Sequence, residues 1–328
     1  MRTAQSNYVR LLASRIGVTA RGKSRRLTRA LVDLGVEESF KRANERLREH
    51  YGFELNASAV RQATLTHAAR AQARLEAQYQ ESFRILPTKG AQQLVAQSDG
   101  SMVCTVKENA PRKSPRPREW KEMRLVAAQT HASMERVYAA GFLDVAAAGR
   151  RWGHCAREAG WGLNSGVHVI GDGAPWIEIQ SREVFGDQGR FLLDFYHASE
   201  YLGAASLSCR PRDPQGWRRT QQRRLKSGRC QKVLEELRHK SEADTVPDES
   251  APARTALRYL GSRVDQLDYA GALEKDLPIG SGLIESGHRH LIQARLKKPG
   301  SAWLPSSAHA IAQLRVLRAN GHWMSLWN

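Results

Sequence analysis

Apolar side chains recur three or four residues apart near the start of the chain, which predicts an amphipathic helix over 37–51. The stripe consists of Phe40, Ala43, Leu47 and Tyr51. Gly52 would end this helix, and Asn56 or Ser58 can cap a second helix that follows. A helix, a glycine-containing turn and a capped helix together form the layout of a helix-turn-helix.

If this segment is a helix-turn-helix, the first turns of its second helix face a nucleic-acid groove. The side chains expected there are Ser58, Arg61, Gln62 and Thr64. A short helical hairpin without DNA binding is the alternative. Residues 1–30 carry eight Arg and Lys residues and no acid, which is typical of a solvated basic arm or of an arm that contacts phosphates. We assign 1–88 to a basic helical domain.

From residue 89 the apolar pattern changes from helical spacing to alternation. Residues 91–106 predict a hairpin or a long strand with Asp99-Gly100 in its middle, and 107–120 form a basic, proline-rich loop. A strand through "KEMRLVAA" follows, and then about 35 Ala-rich residues that predict a helix ending at Gly160. A strand through "GVHVIGDGA", a short strand around "GRFLLDFYH" and a helix from Ala198 complete a mixed α/β pattern.

Residues 203–277 differ in composition, because apolar positions return to helical spacing and basic residues dominate. The stretch 210–240 holds eleven basic residues and three acids. We interpret 203–277 as a basic helical insertion that separates 89–202, the first part of an α/β domain, from 278–328, its second part. The last part predicts a helix over 283–298, ended by Pro299-Gly300.

The formal net charge of +18 narrows the class of partner to polyanions, either nucleic acid or an anionic membrane. No apolar run approaches the roughly 18 residues that a membrane span needs, so nucleic acid is favoured. The four cysteines are far apart and form no Cys-x-x-Cys pair, which argues against a zinc ribbon or a disulfide scaffold.

Carboxylates stand beside glycines in three short motifs: Asp99 in "QSDGSM", Asp172 in "IGDGAP" and Glu285 in "PIGSGLIES". Asp194 and His197 add a fourth motif in "LLDFYHASEYL". Glycine lets an ion or a phosphate approach the backbone closely, and oxygen ligands suit Mg²⁺ or Mn²⁺. Two such ions about 4 Å apart catalyse phosphoryl transfer.

Each acid also has an interpretation without chemistry. Asp99 can be a hairpin-turn residue, Glu285 can open a helix through the dipole, and Asp194 with His197 can be a polar pair at a strand end. In the helix over 283–298 the spacing places one stripe of side chains along a single face. Its members are Glu285, Arg289, Ile292 and Leu296. The basic side chains of this region that we expect to contact phosphates are Arg289, Arg295, Lys297 and Lys298.

Four segments in this order, "DGS…WKEMRL", "IGDGAPWI", "DFYHASEYL" and "LPIGSGLIESGHRHLIQARLKKPGSAWLPSSAHAIAQLRVLRANGHW", resemble the DDE transposases of bacterial insertion sequences. The ISKra-like branch, related to Mutator-type elements, is the most similar. The resemblance covers about 90–328 and implies an RNase H-like catalytic domain interrupted by a helical insertion. The first motif has Asp-Gly-Ser where Asp-Gly-Thr is expected, which does not affect Asp99.

The resemblance implies that Asp99 of the first strand, Asp172 of the fourth strand and Glu285 of a late helix bind two Mg²⁺ or Mn²⁺ ions. Asp194 and His197 match a motif that follows the second Asp, so Asp194 competes with Asp172 for the second ligand position. The implied reaction cleaves element ends and joins the 3′-OH to target DNA. The implied partners are terminal inverted repeats, target DNA and a second copy of the chain, in the bacterial cytoplasm at the nucleoid.

Two other functions remain open. A structure-selective nuclease on the same scaffold would hydrolyse DNA without strand transfer, and a DNA-binding regulator derived from a transposase would not cleave at all. Trp217 or Trp303 could stack on an unpaired base or, alternatively, be packing residues. The chain begins directly in its basic segment, so we expect that an upstream piece is missing.

Overall fold

A five-stranded mixed sheet forms the centre of the α/β region in the computed structural model, which describes residues 23–52, 55–107 and 116–327. The strands are β1 (Gln93–Val106), β2 (Arg118–Thr130), β3 (Val137–Gly141), β4 (Gly166–Gly171) and β5 (Gly189–Leu193). Their order across the sheet is β3-β2-β1-β4-β5. The predicted α/β fold class is therefore confirmed at the level of a mixed sheet with many helices.

Strand direction divides this sheet into two parts. β4 is parallel to both β1 and β5, whereas β3 is antiparallel to β2. β2 is antiparallel to β1. The start of β1 lies beside the end of β2, where His131 N donates to the Gln93 carbonyl, and the end of β1 lies beside the start of β2, where Thr105 Oγ1 donates to the Glu119 carbonyl. The stretch 91–106 is thus one long strand and not a hairpin.

Helices connect and cover the strands. Those between β3 and the insertion are α4 (Val145–Glu158), α5 (Pro175–Phe185) and α6 (Phe195–Cys209), which is preceded by its N-cap Asp194. The Ala-rich segment was predicted as helix throughout, but its first part is the strand β3. Three small or aromatic buried residues, Tyr138, Ala139 and Ala140, pair with β2 there, so tertiary pairing overrides the local propensity of alanine.

The insertion is helical, as predicted, in the residues 203–277. Its helices are α7 (Pro214–Lys226), α8 (Cys230–Lys240), α9 (Pro252–Gly261) and α10 (Tyr269–Glu274). A continuous apolar core joins them to the sheet, because Leu192 and Leu193 of β5 lie in the same buried cluster as Trp217, Leu237 and Leu260. The insertion therefore packs directly behind the strand ends.

The unit that holds most of the sheet comprises residues 81–102 and 122–288. The second compact unit comprises 1–80, 103–121 and 289–328, and its described residues are mainly helical. Its helices are α1 (Arg25–Glu37), α2 (Phe40–Tyr51), α3 (Ala57–Gln80) and α13 (Pro305–Ala319). The helix predicted over 37–51 is α2, which ends at Gly52 in the left-handed conformation. Asn56 Oδ1 accepts from Ala59 N and caps α3.

The domain boundaries predicted from composition differ from these units in three respects. Residues 81–88 group with the sheet unit and residues 103–121 with the helical unit, whereas the sequence assigned 1–88 to the helical domain and 89–202 to the α/β domain. Residues 289–328 group with the N-terminal helices, whereas the sequence assigned 278–328 to the α/β domain. Most of the basic arm, residues 1–22, and most of the proline-rich loop, residues 108–115, lie outside the described part of the chain. Within the described residues no helix is both long enough and apolar enough to cross a bilayer.

The helix predicted over 283–298 has three parts. They are α11 (Gly282–Gly287), a π-helical segment His288–Gln293, and α12 (Ala294–Leu296). A π-helical turn adds a residue per turn and shifts every later side chain around the axis. The predicted single stripe is therefore wrong, because Glu285 and Arg289 are exposed while Ile292 and Leu296 are buried.

Candidate active site

Three aspartates stand level with one another on adjacent parallel strands: Asp99 lies within β1, and Asp172 and Asp194 directly follow the carboxyl ends of β4 and β5. β1 pairs with β4 at Gln97 and Ile170, so continuing this offset by two residues brings Asp99 level with Asp172. β4 pairs with β5 at Gly171 and Leu193, so one further residue brings Asp172 level with Asp194. Neighbouring strands are about 4.8 Å apart, which places the three aspartates in one row at this edge of the sheet.

Asp172 lies in a turn that its own side chain helps to close. Asp172 Oδ1 accepts from Ala174 N at 2.9 Å, the hydrogen bond of an Asx turn. Gly173 adopts φ +81°, a conformation in which a side chain would be strained. The carboxylate stays partly accessible and accepts no other hydrogen bond from a described residue.

The insertion fixes the backbone of this turn. The Tyr259 hydroxyl donates to the Asp172 carbonyl at 2.6 Å, and Arg263 Nη2 donates to the Gly173 carbonyl at 3.1 Å. The Arg263 guanidinium also lies 4.1 Å from the centre of the Tyr259 ring. A Cβ at Gly173 would meet Tyr259 Oη at 2.5 Å and Leu193 Cδ1 at 2.8 Å. We had attributed the glycines to the approach of an ion and a phosphate, but at Gly173 protein side chains occupy that space.

His197 lies one helical turn into α6, beside the same aromatic residues. Its Nδ1 is 3.4 Å from Glu200 Oε2, and its ring packs edge-on against Tyr201 and Tyr259, which stack on each other at 3.9 Å. His197 therefore supports the surroundings of Tyr259. Its backbone N–H donates to Asp194 Oδ1, but its imidazole makes no hydrogen bond to the Asp194 carboxylate, the pairing that the sequence suggested.

Asp194 is buried, with 2% of its surface exposed, and both carboxylate oxygens are used by the backbone. Oδ1 accepts from Tyr196 N at 2.6 Å and from His197 N at 2.9 Å, which makes Asp194 the N-cap of α6. Oδ2 accepts from Ser281 N at 2.6 Å. Of the two candidates for the second ligand position, Asp172 is consequently the one whose carboxylate remains available.

The segment 278–284 carries Glu285 to this edge of the sheet through bonds to three strands. His168 Nε2 on β4 lies 2.8 Å from the Pro278 carbonyl, and Asp194 holds Ser281 N. On β1 the buried Gln97 uses both ends of its amide, because Nε2 donates to the Gly280 carbonyl and Oε1 accepts from Ile284 N. Glu285 follows directly, and its Oε1 accepts from Ser281 Oγ at 2.8 Å.

Asp99 lies among other carboxylates, and its pKa reflects this. Burial, followed by repulsion from Asp172, Glu122 and Glu285, raises the pKa of Asp99 to about 6, against a lowering by the hydrogen bond from Gly100 N. His288 Nε2 lies 3.4 Å from Asp99 Oδ2. The repulsion means that Asp172 and Glu285 are each within electrostatic range of Asp99.

Glu122, on the neighbouring strand β2, is a fourth carboxylate of this site that sequence reasoning missed. A Cβ added to Gly100 would meet Glu122 Oε1 at 2.2 Å, so glycine here makes room for that side chain. Arg124 Nη2 lies 2.7 Å from Glu122 Oε2 and compensates part of its charge. The alternation of side chains along β2 would place Glu122 beside Asp99 and Gly100 only if the register between β1 and β2 were known, and the sequence does not give that register.

The chemistry of these side chains matches a hard divalent cation, because carboxylate oxygens are the ligands that Mg²⁺ and Mn²⁺ prefer. Their positions do not complete a site. Among the residues that the structure describes, no three His, Cys, Asp or Glu side chains are close enough to one another to hold a metal ion. The structure thus gathers the predicted carboxylates without forming a closed ligand set.

The side chains predicted to contact DNA differ in their exposure. Five of them are exposed to solvent: Ser58, Arg61, Gln62, Arg289 and Lys297. Lys298 is half-buried and ion-paired, with Nζ 3.2 Å from Glu38 Oε2. Arg70 on α3 adds an exposed cation that the sequence prediction did not name.

The structure corrects two of the predicted DNA contacts, Arg295 and Thr64, because both side chains are buried. Arg295 is 3% exposed, its Nε and Nη2 donate to the Gly35 carbonyl, and its guanidinium lies between the rings of Phe40 and Trp303. Thr64 is fully buried and donates to the Val60 carbonyl. Thr64 is not available to DNA, and Arg295 lies in the wall of a cavity and not on an exposed surface.

Trp217 and Trp303 are packing residues. Trp217 lies in the core of the insertion, and Trp303 Nε1 donates to the Leu296 carbonyl. All four cysteines are free thiols.

Comparison with curated proteins finds no match to this chain. The profile of the uncharacterised protein family UPF0236 matches residues 159–326, which is about half of the chain. The matched part begins before β4 and includes Asp172, Asp194 and Glu285, together with the insertion that braces the Asp172 turn. The chain belongs to the uncharacterised protein family UPF0236.

Proposed function

We propose that this protein is a DNA transposase of the DDE type, with an RNase H-like catalytic domain, that cleaves element ends and joins them to target DNA. The observation that carries the proposal is the gathering of Asp99, Asp172 and Glu285 at one edge of the sheet. They come from the first strand, the end of the fourth strand and a late helix, which are the positions that the transposase resemblance implies.

The bonding pattern supports different roles for the acids. Asp172 and Glu285 keep carboxylate oxygens accessible, whereas the oxygens of Asp194 are consumed by backbone N–H groups. Asp99 stays partly accessible and repels its neighbours, which is the electrostatic situation that a cation would relieve. In our proposal Asp99, Asp172 and Glu285 are the metal ligands, and Asp194 and His197 position them.

Two Mg²⁺ or Mn²⁺ ions would activate the attacking oxygen and stabilise the leaving oxygen of the phosphodiester. Asp99, Asp172 and Glu285 would hold these ions, although they do not form a closed ligand set as they stand. Water would attack the phosphodiester at the element end, releasing the 3′-OH and leaving a 5′-phosphate. The 3′-OH would then attack a phosphodiester of the target and release a 3′-OH of the target strand.

Contacts with DNA are proposed for both units. In the helical unit, α2 and α3 act as the helix-turn-helix, with the exposed Gln62 at the groove and the exposed Arg61, Arg289 and Lys297 on phosphates. In the other unit, α7 exposes Arg218, Arg219, Arg223 and Lys226 to phosphates. Lys226 Nζ lies 4.6 Å from the centre of the Phe195 ring, so this basic face ends beside the Asp194 cap.

A strand-transfer assay tests the proposal. Pre-cleaved duplex ends, taken from the DNA that flanks the coding sequence, are incubated with supercoiled plasmid and Mg²⁺ or Mn²⁺, and joined products are counted. We expect joining by the wild type, none by Asp172→Asn, and wild-type joining by Asp187→Asn, a control with an exposed aspartate after α5.

The outcomes separate the alternatives. Cleavage without joining would replace the transposase by a nuclease on the same scaffold. Binding without either reaction in Mn²⁺ would support a regulator, and joining by Asp172→Asn at the wild-type rate would refute the site.

A further inference from the structure

The helical unit contains a cavity of about 390 Å³ between α2, α3 and the segment 295–307. Cationic and hydroxyl side chains line it: Arg61, Arg116, Arg295, Ser39, Ser301 and Ser307. None of the described lining residues is acidic. A cavity lined by cationic side chains and by no described acidic one favours an anion.

Arg295 gives an independent indication of an anion. It is almost fully buried, and its Nε and Nη2 both donate to a single acceptor, the Gly35 carbonyl. Burial and the neighbouring Arg315 lower the pKa of Arg295 to about 10, despite Glu37 and Glu38. A buried charge is costly unless an opposite charge compensates it. The rings of Phe40 and Trp303 cover its faces, and its remaining nitrogen, Nη1, makes no hydrogen bond to a described residue.

We infer that this cavity, which we call the arginine pocket, binds one phosphate group of the DNA backbone. Arg61 and Arg116 would supply charge from its rim, Arg295 would supply charge from its wall, and Ser39 and Ser307 would donate hydroxyl hydrogen bonds. A volume of this size accommodates the phosphate together with its sugar. The inference rests on the DNA-binding part of the proposed function and is independent of the carboxylate site.

Salt dependence of DNA binding tests the pocket, because each phosphate contact contributes about 0.9 to the slope of log affinity against log salt. Duplex binding is followed by fluorescence anisotropy over a series of KCl concentrations. We expect Arg116→Ala to lower the slope, and Arg61→Ala/Arg116→Ala to lower it by about 0.9 in total, since both arginines serve one phosphate. Arg118→Ala removes an exposed arginine two residues away and is the matched control.

The results discriminate between a pocket and separate contacts. A wild-type slope in Arg116→Ala, or a loss of about 1.8 in the double variant, would overturn the inference, the latter because it indicates two phosphates. Thermal melts in inorganic phosphate and in chloride of equal ionic strength form a second arm. Stabilisation by phosphate without any change in DNA slope would assign the pocket to free phosphate and also overturn the proposal.

Failure of this inference is distinct from failure of the proposed function. Asp172→Asn should retain the wild-type salt slope, because it changes no phosphate contact in the arginine pocket. If strand transfer is absent while the slopes change as expected, the pocket stands and the transposase proposal falls. If strand transfer occurs while the salt slopes of the arginine variants equal that of the wild type, the transposase proposal stands and the arginine pocket falls.

Discussion

The ends of β4 and β5 make an instructive comparison. Each strand ends in buried residues, each is followed by an aspartate, and the two aspartates are level with each other in the sheet. Asp172 accepts one hydrogen bond from its own turn, whereas Asp194 accepts three from the backbone. The same sequence signal, an acid after an apolar strand, therefore gives one accessible carboxylate and one that is fully committed to structure.

The difference follows from what comes after each aspartate. Gly173 and Ala174 form a turn, so only one N–H points back at Asp172. Phe195 begins a helix directly after Asp194, so the free N–H groups of its first turn converge on that carboxylate. Availability for chemistry is thus decided by the neighbouring backbone donors and not by the acid itself.

Activity should separate the two aspartates most strongly. If Asp172 binds a catalytic ion, Asp172→Asn should reduce strand transfer by roughly 10²- to 10⁴-fold, since several kcal/mol of transition-state stabilisation are lost. Asp194→Asn retains an oxygen that can cap α6 and should reduce the rate far less. The measurement is the initial rate of joining at a temperature where both variants are folded. Equal losses would mean that the bonding pattern does not assign the roles.

Stability should show the opposite order. Asp194→Ala removes three hydrogen bonds to a carboxylate, including a helix cap, and should lower the free energy of unfolding by about 2–4 kcal/mol. Asp172→Ala removes one hydrogen bond in an accessible turn and should cost below about 1 kcal/mol. Urea unfolding followed by circular dichroism compares them. A larger loss for Asp172→Ala would contradict the comparison.

The hydrogen bonds from Tyr259 and Arg263 hold the backbone of the Asp172 turn, and they can be weakened without changing Asp194. Tyr259→Phe removes the hydrogen bond to the Asp172 carbonyl while keeping the stacked ring, and should cost about 1 kcal/mol and slow joining several-fold. Tyr201→Phe removes the hydroxyl of the stacking partner and serves as the control. Wild-type rates in both variants would show that the brace does not position Asp172.

Local patterns predicted much of this architecture. The amphipathic α2, its end at Gly52, the long first strand and the helical insertion follow from spacing and from turn residues. Mixed α/β class follows from the same patterns. Strand β3 could not be predicted from local patterns, because its alanines favour a helix and only the pairing with β2 makes this segment a strand.

The candidate site was predictable only in part. Asp99, Asp172 and Glu285 were identified by motif, but the clamp formed by Gln97 joins residues nearly 190 positions apart, and no local pattern encodes it. Arg295 shows the same limit, since a basic helix end resembles a phosphate contact until Phe40 and Trp303 enclose it. Burial of polar side chains is a property of tertiary packing, so sequence spacing does not reveal it.

The smallest expected effect concerns the pKa of Asp99. Burial and repulsion raise it to about 6, and Asp172 contributes to the repulsion whereas Asp194 is not among the causes. Between about pH 4 and pH 6 the unfolded chain loses this proton while the folded chain keeps it, so the free energy of unfolding falls as the pH rises through that window.

Asp172→Asn removes part of the repulsion and should make this fall shallower, whereas Asp194→Asn should leave the contribution of Asp99 unchanged. The change should be below about 1 kcal/mol, because the Asp99 side chain is 39% exposed and solvent screens the interaction. NMR titration of the Asp99 carboxyl carbon reads the pKa directly. An equal decrease in both variants would mean that Asp194 acts on Asp99 as strongly as Asp172 does, and that the β4 and β5 ends do not differ electrostatically.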